Sequence, residues 1–150
     1  MNIEEIIERH KTLVAAEAAL FHRKRFCDYS ELYHKKTAEL IRKGLTIQSD
    51  VLAACHAGRK RLQGEILKIM RCYNLSALIA PAAVGPAPKG LDNTGDPVMN
   101  IPWTQAGLPA VSLPSGVSRE GLPMGLQVVG PWMGDEALLE IARQIAKSLD

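Results

Sequence analysis

The sequence predicts an α/β fold of about four helices and about three short strands. Apolar residues recur at helical spacing through residues 1–75, whereas residues 76–150 hold short apolar runs separated by proline and glycine. All nine prolines lie at or after Pro81, so a helical half precedes a half that is rich in turns. With 47% hydrophobic and 23% charged residues, the 150-residue chain has the composition of a single folded piece rather than of a disordered chain.

Three helices are expected in the first half, over residues 3–26, 31–43 and 50–73. Asn2 is of a type that caps helix N-termini, and Gly44 supplies the stop after the second helix. The apolar positions of the first helix include Ile3, Ile6, Leu13 and Leu20.

The second half is expected to contain strands at residues 77–80, 110–113 and 125–129 and a final amphipathic helix at residues 135–149. A short helical turn is expected from Pro102 to Gln105. Residues 81–97 are dense in proline, glycine and asparagine and are predicted to form an irregular loop. Ordered loops of this length are more often functional than idle.

Charge and hydropathy narrow the classes of partner. The net charge of +2 divides into +5 over residues 1–75 and −3 over residues 76–150. The basic triplets at 23–25 and 59–61 are interpreted as solvated helix surface, so no nucleic-acid partner is expected. The uncharged stretches are too short and too interrupted to span a bilayer, and the N-terminus lacks the features of a secretory signal. A cytoplasmic location with reduced cysteines is the expectation.

The sequence contains no recognisable set of catalytic or metal-binding residues. Ser115 and Ser118 lie near glycines but do not complete a Gly-x-Ser-x-Gly elbow, so they are interpreted as turn residues. Cys55 and His56 are adjacent on a helix and point about 100° apart. The four histidines have no metal-ligand spacing. Neither a metal nor a cofactor is expected.

Residues 76–131 resemble the C-terminal third of the amidase signature family. The resemblance rests on an ordered series of short motifs: Ala80-Pro81, Ala87-Pro88, Thr94-Gly-Asp-Pro97, Trp103-Thr104, Ala106-Gly-Leu-Pro-Ala110, Pro114-Ser-Gly116 and Gly121-Leu-Pro-Met-Gly-Leu-Gln127. The first 75 residues and the closing helix are similar to the family more weakly.

The resemblance implies a fold, an activity and a pocket. It implies part of a mixed sheet between helices, and cleavage of a carboxamide C–N bond through an acyl-serine intermediate without a metal. The family's Ser–cis-Ser–Lys triad has no counterpart in these residues, so no catalytic residue is carried over and the chain alone is expected to be inactive. The residues carried over as substrate contacts are Asp96, Asn100, Trp103 and Thr104, with Trp103 equally readable as a core tryptophan.

Three interpretations remain open. The chain is a truncated amidase, one subunit of a split amidase, or a non-catalytic binding and interaction module. The expected partners are a small-molecule amide and either a catalytic N-terminal amidase half or further copies of the chain. Self-association is expected through the strand at residues 77–80 and the apolar faces of the first and third helices, including Ile3, Ile6, Leu13 and Leu20.

Overall fold

The computed structural model describes residues 2–149 as an α/β structure of five α-helices and one three-stranded sheet. The α/β class and the three strands are confirmed. The chain divides into two compact units, one ending at Lys60 and the other beginning at Arg61. None of the helices in residues 2–149 is both long and apolar enough to cross a membrane.

The helices lie close to their expected positions. They are α1 (Ile3–Tyr29), α2 (Lys35–Leu45), α3 (Ser49–Cys72), α4 (Ile101–Ala106) and α5 (Asp135–Leu149). Asn2 caps α1, because its side-chain oxygen accepts a hydrogen bond from the backbone N–H of Glu4 at 3.0 Å. The expected turn after Pro102 is the α-helix α4, which ends at Gly107 in a left-handed conformation with φ of 68°.

In the first unit, α1 packs directly against α2. Small residues, Ala15 and Ala19 on α1 and Gly44 on α2, let the two backbones approach closely. The apolar cluster beside this contact consists of Ala19, Phe26, Ala38 and Ile41, with Tyr33 packed against it. Ile6 and Leu13 are 2% and 3% exposed, so the expectation that they belong to an open surface is wrong. They are core residues because they lie on the inward face of α1.

The sheet consists of β1 (Leu78–Pro81), β2 (Ala110–Val117) and β3 (Pro123–Val129), in the spatial order β1-β3-β2. Both strand pairs are antiparallel, so the expected mixed sheet is not found among the described strands. For β2 and β3 the reason is their connection, which is short enough to return the chain as a hairpin. Parallel neighbours would need a longer crossover.

The core of the second unit lies between the sheet and its helices. Val128 and Val129 of β3 are fully buried, and α5 packs on β2 and β3. Leu138 of α5 is 1% exposed and lies against Gly130, where an added Cβ would come within 3.1 Å of the Leu138 Cβ. Gln63 of α3 donates a hydrogen bond to the carbonyl oxygen of Ala106 at 2.8 Å, which ties α3 to the end of α4.

Candidate functional site

A cavity of about 490 Å³ lies within the irregular segment that follows β1. Its apolar lining is mainly proline: Pro86, Pro88, Pro97 and Pro123. Its polar lining comes from Thr94, Asp96 and Asn100. An apolar wall with a few polar groups is the usual composition of a small-molecule site. This segment, from Ala82 to Asn100, is called the cavity loop below.

Local hydrogen bonds give the cavity loop its shape. The Asn93 side-chain oxygen accepts from the backbone N–H of Gly95 at 2.9 Å, and Gly95 has a φ of 98° that favours glycine. The Asp96 carboxylate accepts from the backbone N–H of Val98 at 2.9 Å and caps the 3₁₀ turn Pro97–Met99. One oxygen of Asp96 is therefore engaged in holding the backbone.

Asn100 joins the two ends of the cavity loop. Its side-chain Nδ2 donates to the carbonyl oxygen of Ala82 at 3.2 Å, and its Oδ1 accepts from Nε2 of Gln127 at 2.7 Å. Ala82 is itself attached to the sheet, because its N–H donates to the carbonyl oxygen of Gly125 at 2.9 Å. The loop is thus closed by side-chain bonds that start from the central strand β3.

This arrangement determines the orientation of both side-chain amides. The carbonyl of Ala82 can only accept, so the group of Asn100 that faces it must be Nδ2. Oδ1 of Asn100 then faces Gln127, and an acceptor there requires Nε2 of Gln127 as the donor. One Nδ2 hydrogen of Asn100 and one lone pair of its Oδ1 are left over by these two bonds.

The structure brings two of the four expected substrate contacts together. Asp96 and Asn100 both line the cavity. Trp103 and Thr104 follow on α4 and do not line it: Thr104 is exposed, and the indole nitrogen of Trp103 is buried with no hydrogen-bond partner within residues 2–149. The roles of these four residues toward a substrate stay predictions.

Gln127 was not among the expected site residues, although the structure connects it to one of them. It is 5% exposed, which is unusual for a glutamine. The sequence did contain a signal, since Gln127 is a single polar residue within the apolar strand Leu126–Val129. A polar residue at a buried strand position normally has a hydrogen-bond partner, but the sequence does not indicate which one.

Of the two serines near glycine, Ser118 is a turn residue as expected, whereas Ser115 lies within strand β2, so its expected turn position is wrong. The hydroxyl of Ser118 accepts from the backbone N–H groups of Glu120 and Leu122 at 3.2 and 3.3 Å and donates to the Glu120 carboxylate at 3.1 Å. These contacts organise the turn between β2 and β3. No group of three or more His, Cys, Asp or Glu in the described part of the chain is arranged to hold a metal ion.

Fold and cavity together define an α/β protein with a cavity on a proline-rich loop. The family model described as Amidase matches residues 15–139, and the chain belongs to this family. The match includes the whole sheet, the cavity loop and the beginning of α5.

Curated relatives are similar over different parts of the chain. A glutamyl-tRNA(Gln) amidotransferase subunit of Trichormus variabilis is 40% identical over 76 residues, which are 46% of this chain and 16% of that protein. The corresponding amidotransferase subunit of Thiobacillus denitrificans is 27% identical over 143 residues, which are 83% of this chain and 30% of that protein.

Solved structures share the fold over almost the entire chain. A crystal structure of an amidase superposes with a TM-score of 0.87 at 27% identity and covers 99% of this chain. 6-Aminohexanoate cyclic dimer hydrolase in complex with its substrate superposes with a TM-score of 0.72 at 20% identity, over 97% of this chain. The chain spans 36% and 35% of those two proteins, or about a third of each.

Proposed function

We propose that the chain provides the substrate pocket of an amidase-signature hydrolase that cleaves a carboxamide C–N bond. The observation that carries this proposal is the cavity beside Asn100, whose amide is held in one orientation by Ala82 and Gln127. A fixed amide offers a donor and an acceptor at a defined place, as recognition of another amide requires. Membership of the amidase family supports the same reaction class.

The lining of the cavity favours an uncharged substrate. Among the described lining residues Asp96 alone carries a charge, and that charge is negative. A carboxylate ligand would be repelled by Asp96 and would find no Lys or Arg in this lining to pair with. A neutral carboxamide has no such cost, and a proline-rich wall suits an apolar group attached to it.

The nucleophile is proposed to come from residues other than these 150. The resemblance places the family's Ser–cis-Ser–Lys triad ahead of the matched region, and in this chain Ser118 serves the turn between β2 and β3. Hydrolysis needs an activated nucleophile and donors for the oxyanion. We therefore expect the chain to act with a catalytic amidase half, in the cytoplasm, and to be inactive alone.

A split amidase, in which a partner subunit carries the catalytic half, is one form of this proposal, and a truncated amidase, in which that half belongs to the same chain, is the other. Both curated relatives are subunits of an amidotransferase by name, and this chain covers 16% and 30% of them. A non-catalytic binding module is the second candidate function, because the cavity needs no triad to retain a small amide. The two candidates differ in whether a catalytic half restores turnover.

The proposal is tested by adding an amide to the ¹⁵N-labelled chain and monitoring binding by two-dimensional NMR. Benzamide is expected to perturb the backbone resonances of Thr94, Gly95 and Asp96, whereas benzoate at the same concentration is expected to leave them unchanged. Asn100→Ala should weaken benzamide binding about tenfold, the value of one lost hydrogen bond. Gln144→Ala, which removes an exposed amide on α5, is the matched control and should bind as the wild type.

Two outcomes would overturn the proposal. One is that benzamide leaves the cavity-loop resonances unchanged at millimolar concentration. The other is turnover of simple amides by the pure chain that is lost on changing Ser115 or Ser118, because the nucleophile would then lie within these residues.

A further inference from the structure

Gln127 links the centre of the sheet to the wall of the cavity. It lies on the central strand β3, with Ala80 and Ser112 opposite it on the neighbouring strands. Its buried side chain donates to Asn100, and Asn100 lines the cavity. We propose that Gln127 is a positioning residue that fixes the Asn100 amide in the orientation that a bound amide meets. This inference rests on the proposed function of the cavity.

The two hydrogen bonds of the Asn100 side chain differ in length. Both bonds are partly buried, but the bond from Gln127 to Asn100 is 2.7 Å long, whereas the bond from Asn100 to Ala82 is 3.2 Å long. The shorter bond comes from a side chain on the central strand, which is paired on both sides. A side chain is well positioned when its partner sits on a rigid element. Gln127 is therefore the fixed end of this set of contacts.

The Asn100 side chain also keeps the cavity loop closed. Ala82 and Asn100 are 18 residues apart in sequence, and the Asn100 side chain holds them together. Closing a flexible loop of this length has an entropic cost, so each contact that keeps it closed also narrows the conformations of the lining. If Gln127 no longer donates, Asn100 is free to turn, and both its contact with Ala82 and the closure weaken.

The consequence for the ligand is a defined donor. After the bonds to Ala82 and Gln127, one Nδ2 hydrogen of Asn100 remains to donate. A carbonyl oxygen is the group of a carboxamide that accepts such a hydrogen. The geometry thus assigns Asn100 to the substrate carbonyl and Gln127 to the orientation of Asn100.

The first experiment observes the Asn100 side-chain NH₂ group by NMR in the full chain, without any ligand. Its two proton resonances are assigned from their loss in Asn100→Ala. Gln127→Met, close in shape but without a donor, is expected to shift them and to speed their exchange with water about tenfold. Gln105→Met changes the other buried glutamine of this unit and should leave the Asn100 side-chain resonances unchanged. Unchanged Asn100 resonances in a folded Gln127→Met chain would overturn the proposal.

A pH titration of Gln127→Glu gives a readout that a general packing role would not produce. A protonated carboxylic acid at this position can donate to Asn100 Oδ1, whereas the ionised form only accepts and would face an acceptor. The Asn100 resonances should therefore resemble the wild type at low pH and move away from it as the introduced carboxyl group ionises. The wild type should show no such transition. Absence of a pH-dependent return in this variant would contradict the positioning role.

Benzamide binding then separates this inference from the proposed function. Gln127→Met and Asn100→Ala should each weaken binding about tenfold, and the double variant should be no weaker than Asn100→Ala alone. Independent losses that multiply would overturn the positioning role. If the Asn100 resonances respond as expected but the wild type does not bind benzamide, the positioning of Asn100 stands and the proposed function fails.

Discussion

Gly44 of α2 lies directly against the backbone carbonyl of Ala15 of α1. A Cβ atom at Gly44 would overlap that carbonyl and would also approach the Ala19 side chain to 2.7 Å. Both alanines are almost completely buried. The contact between α1 and α2 therefore depends on a glycine at this position, close to the C-terminal end of α2.

Replacing Gly44 with alanine is expected to destabilise the chain by about 1–3 kcal/mol, since the added methyl group forces two backbones apart. The measurement is the free energy of unfolding from urea denaturation followed by circular dichroism. Gly64→Ala on α3 is the matched control. Nothing in the described part of the chain lies within 4 Å of a Cβ there, so alanine should stabilise that helix by about 0.5–1 kcal/mol. A stability gain in Gly44→Ala would contradict the close approach.

Gly125 occupies a second position where a side chain does not fit. A Cβ there would lie 2.8 Å from the Ser112 hydroxyl oxygen and 2.9 Å from the Ala82 side chain. Gly125→Ala is expected to lower the free energy of unfolding by about 1–3 kcal/mol and to loosen the start of the cavity loop. The Ala82 N–H donates to the Gly125 carbonyl, so its hydrogen exchange measures this loosening and should become faster in the variant. Gly85→Ala is the control, because its Cβ would meet nothing within 4 Å among residues 2–149.

The elements of the fold were predictable because local signals determine them. Asn2 and Gly107 mark helix ends through the chemistry of caps, and the short apolar runs of the second half locate the strands. The pairing of β1 with β3 was not predictable, because it joins residues nearly 50 positions apart and leaves no periodic mark. It was also not predictable that Ile6 is buried whereas Leu20, on the same helix, is exposed, because burial depends on what packs against each residue.

A substitution at Gln105, unlike those at Gly44 and Gly125, is expected not to destabilise the chain. It is 2% exposed, and its Nε2 has no hydrogen-bond partner within residues 2–149. An unpaired buried donor costs about 1–3 kcal/mol, so Gln105→Leu is expected to leave the chain as stable as the wild type or more stable. Gln127→Leu is the comparison: Oε1 of Gln127 also has no partner within residues 2–149, but Nε2 makes a 2.7 Å hydrogen bond to Asn100, and losing that bond should destabilise the chain. Equal losses in both variants would show that Gln105 has a polar partner.

The candidate site was predictable only in part. The resemblance selected Asp96 and Asn100, which line the cavity, together with Trp103 and Thr104, which lie on α4 outside it. Adjacent residues in sequence point in different directions on a helix, so a motif alone does not say which of them faces a cavity. Gln127 was missed because its role depends on a partner 27 residues away.

The ion pair on α5 gives a prediction about pH. Hydrogen bonds from the Arg143 guanidinium, at 2.6 and 2.8 Å, lower the pKa of Glu140, and Gln144 lowers this pKa further. A carboxyl with a lowered folded-state pKa contributes stability at neutral pH that is lost as the pH falls through that pKa. The contribution is small because both side chains are exposed.

Arg143→Gln is expected to raise the pKa of Glu140 toward the ordinary range of glutamate. The measurement is the carboxyl ¹³C chemical shift of Glu140 as a function of pH. Lys147→Gln removes an equal charge from the last turn of the same helix and should move this pKa less. A Glu140 pKa that is the same in the wild type and in Arg143→Gln would refute the pairing.

Self-association is the remaining prediction, and the structure narrows the surface that carries it. Leu20 and Phe21 on α1 are 75% and 78% exposed, and adjacent large apolar groups are costly to leave in water at about 25 cal/mol per Å². The outer edge of β1 has no strand beside it among the described residues, and Ile79 on β1 is 67% exposed. Unpaired edges and apolar patches both favour contact with other chains.

The chain is therefore expected to form a homodimer or a larger oligomer at micromolar concentration, measured by light scattering after size-exclusion chromatography. Changing Leu20 and Phe21 together to serine should lower the measured mass if α1 carries the contact, and Ile79→Lys should lower it if the β1 edge does. Leu91→Ser is the control, because Leu91 is 99% exposed in the cavity loop and lies apart from both surfaces in sequence. A wild-type mass of 16.4 kDa with one cooperative melting transition would contradict the prediction, because the isolated chain would then tolerate these groups in water.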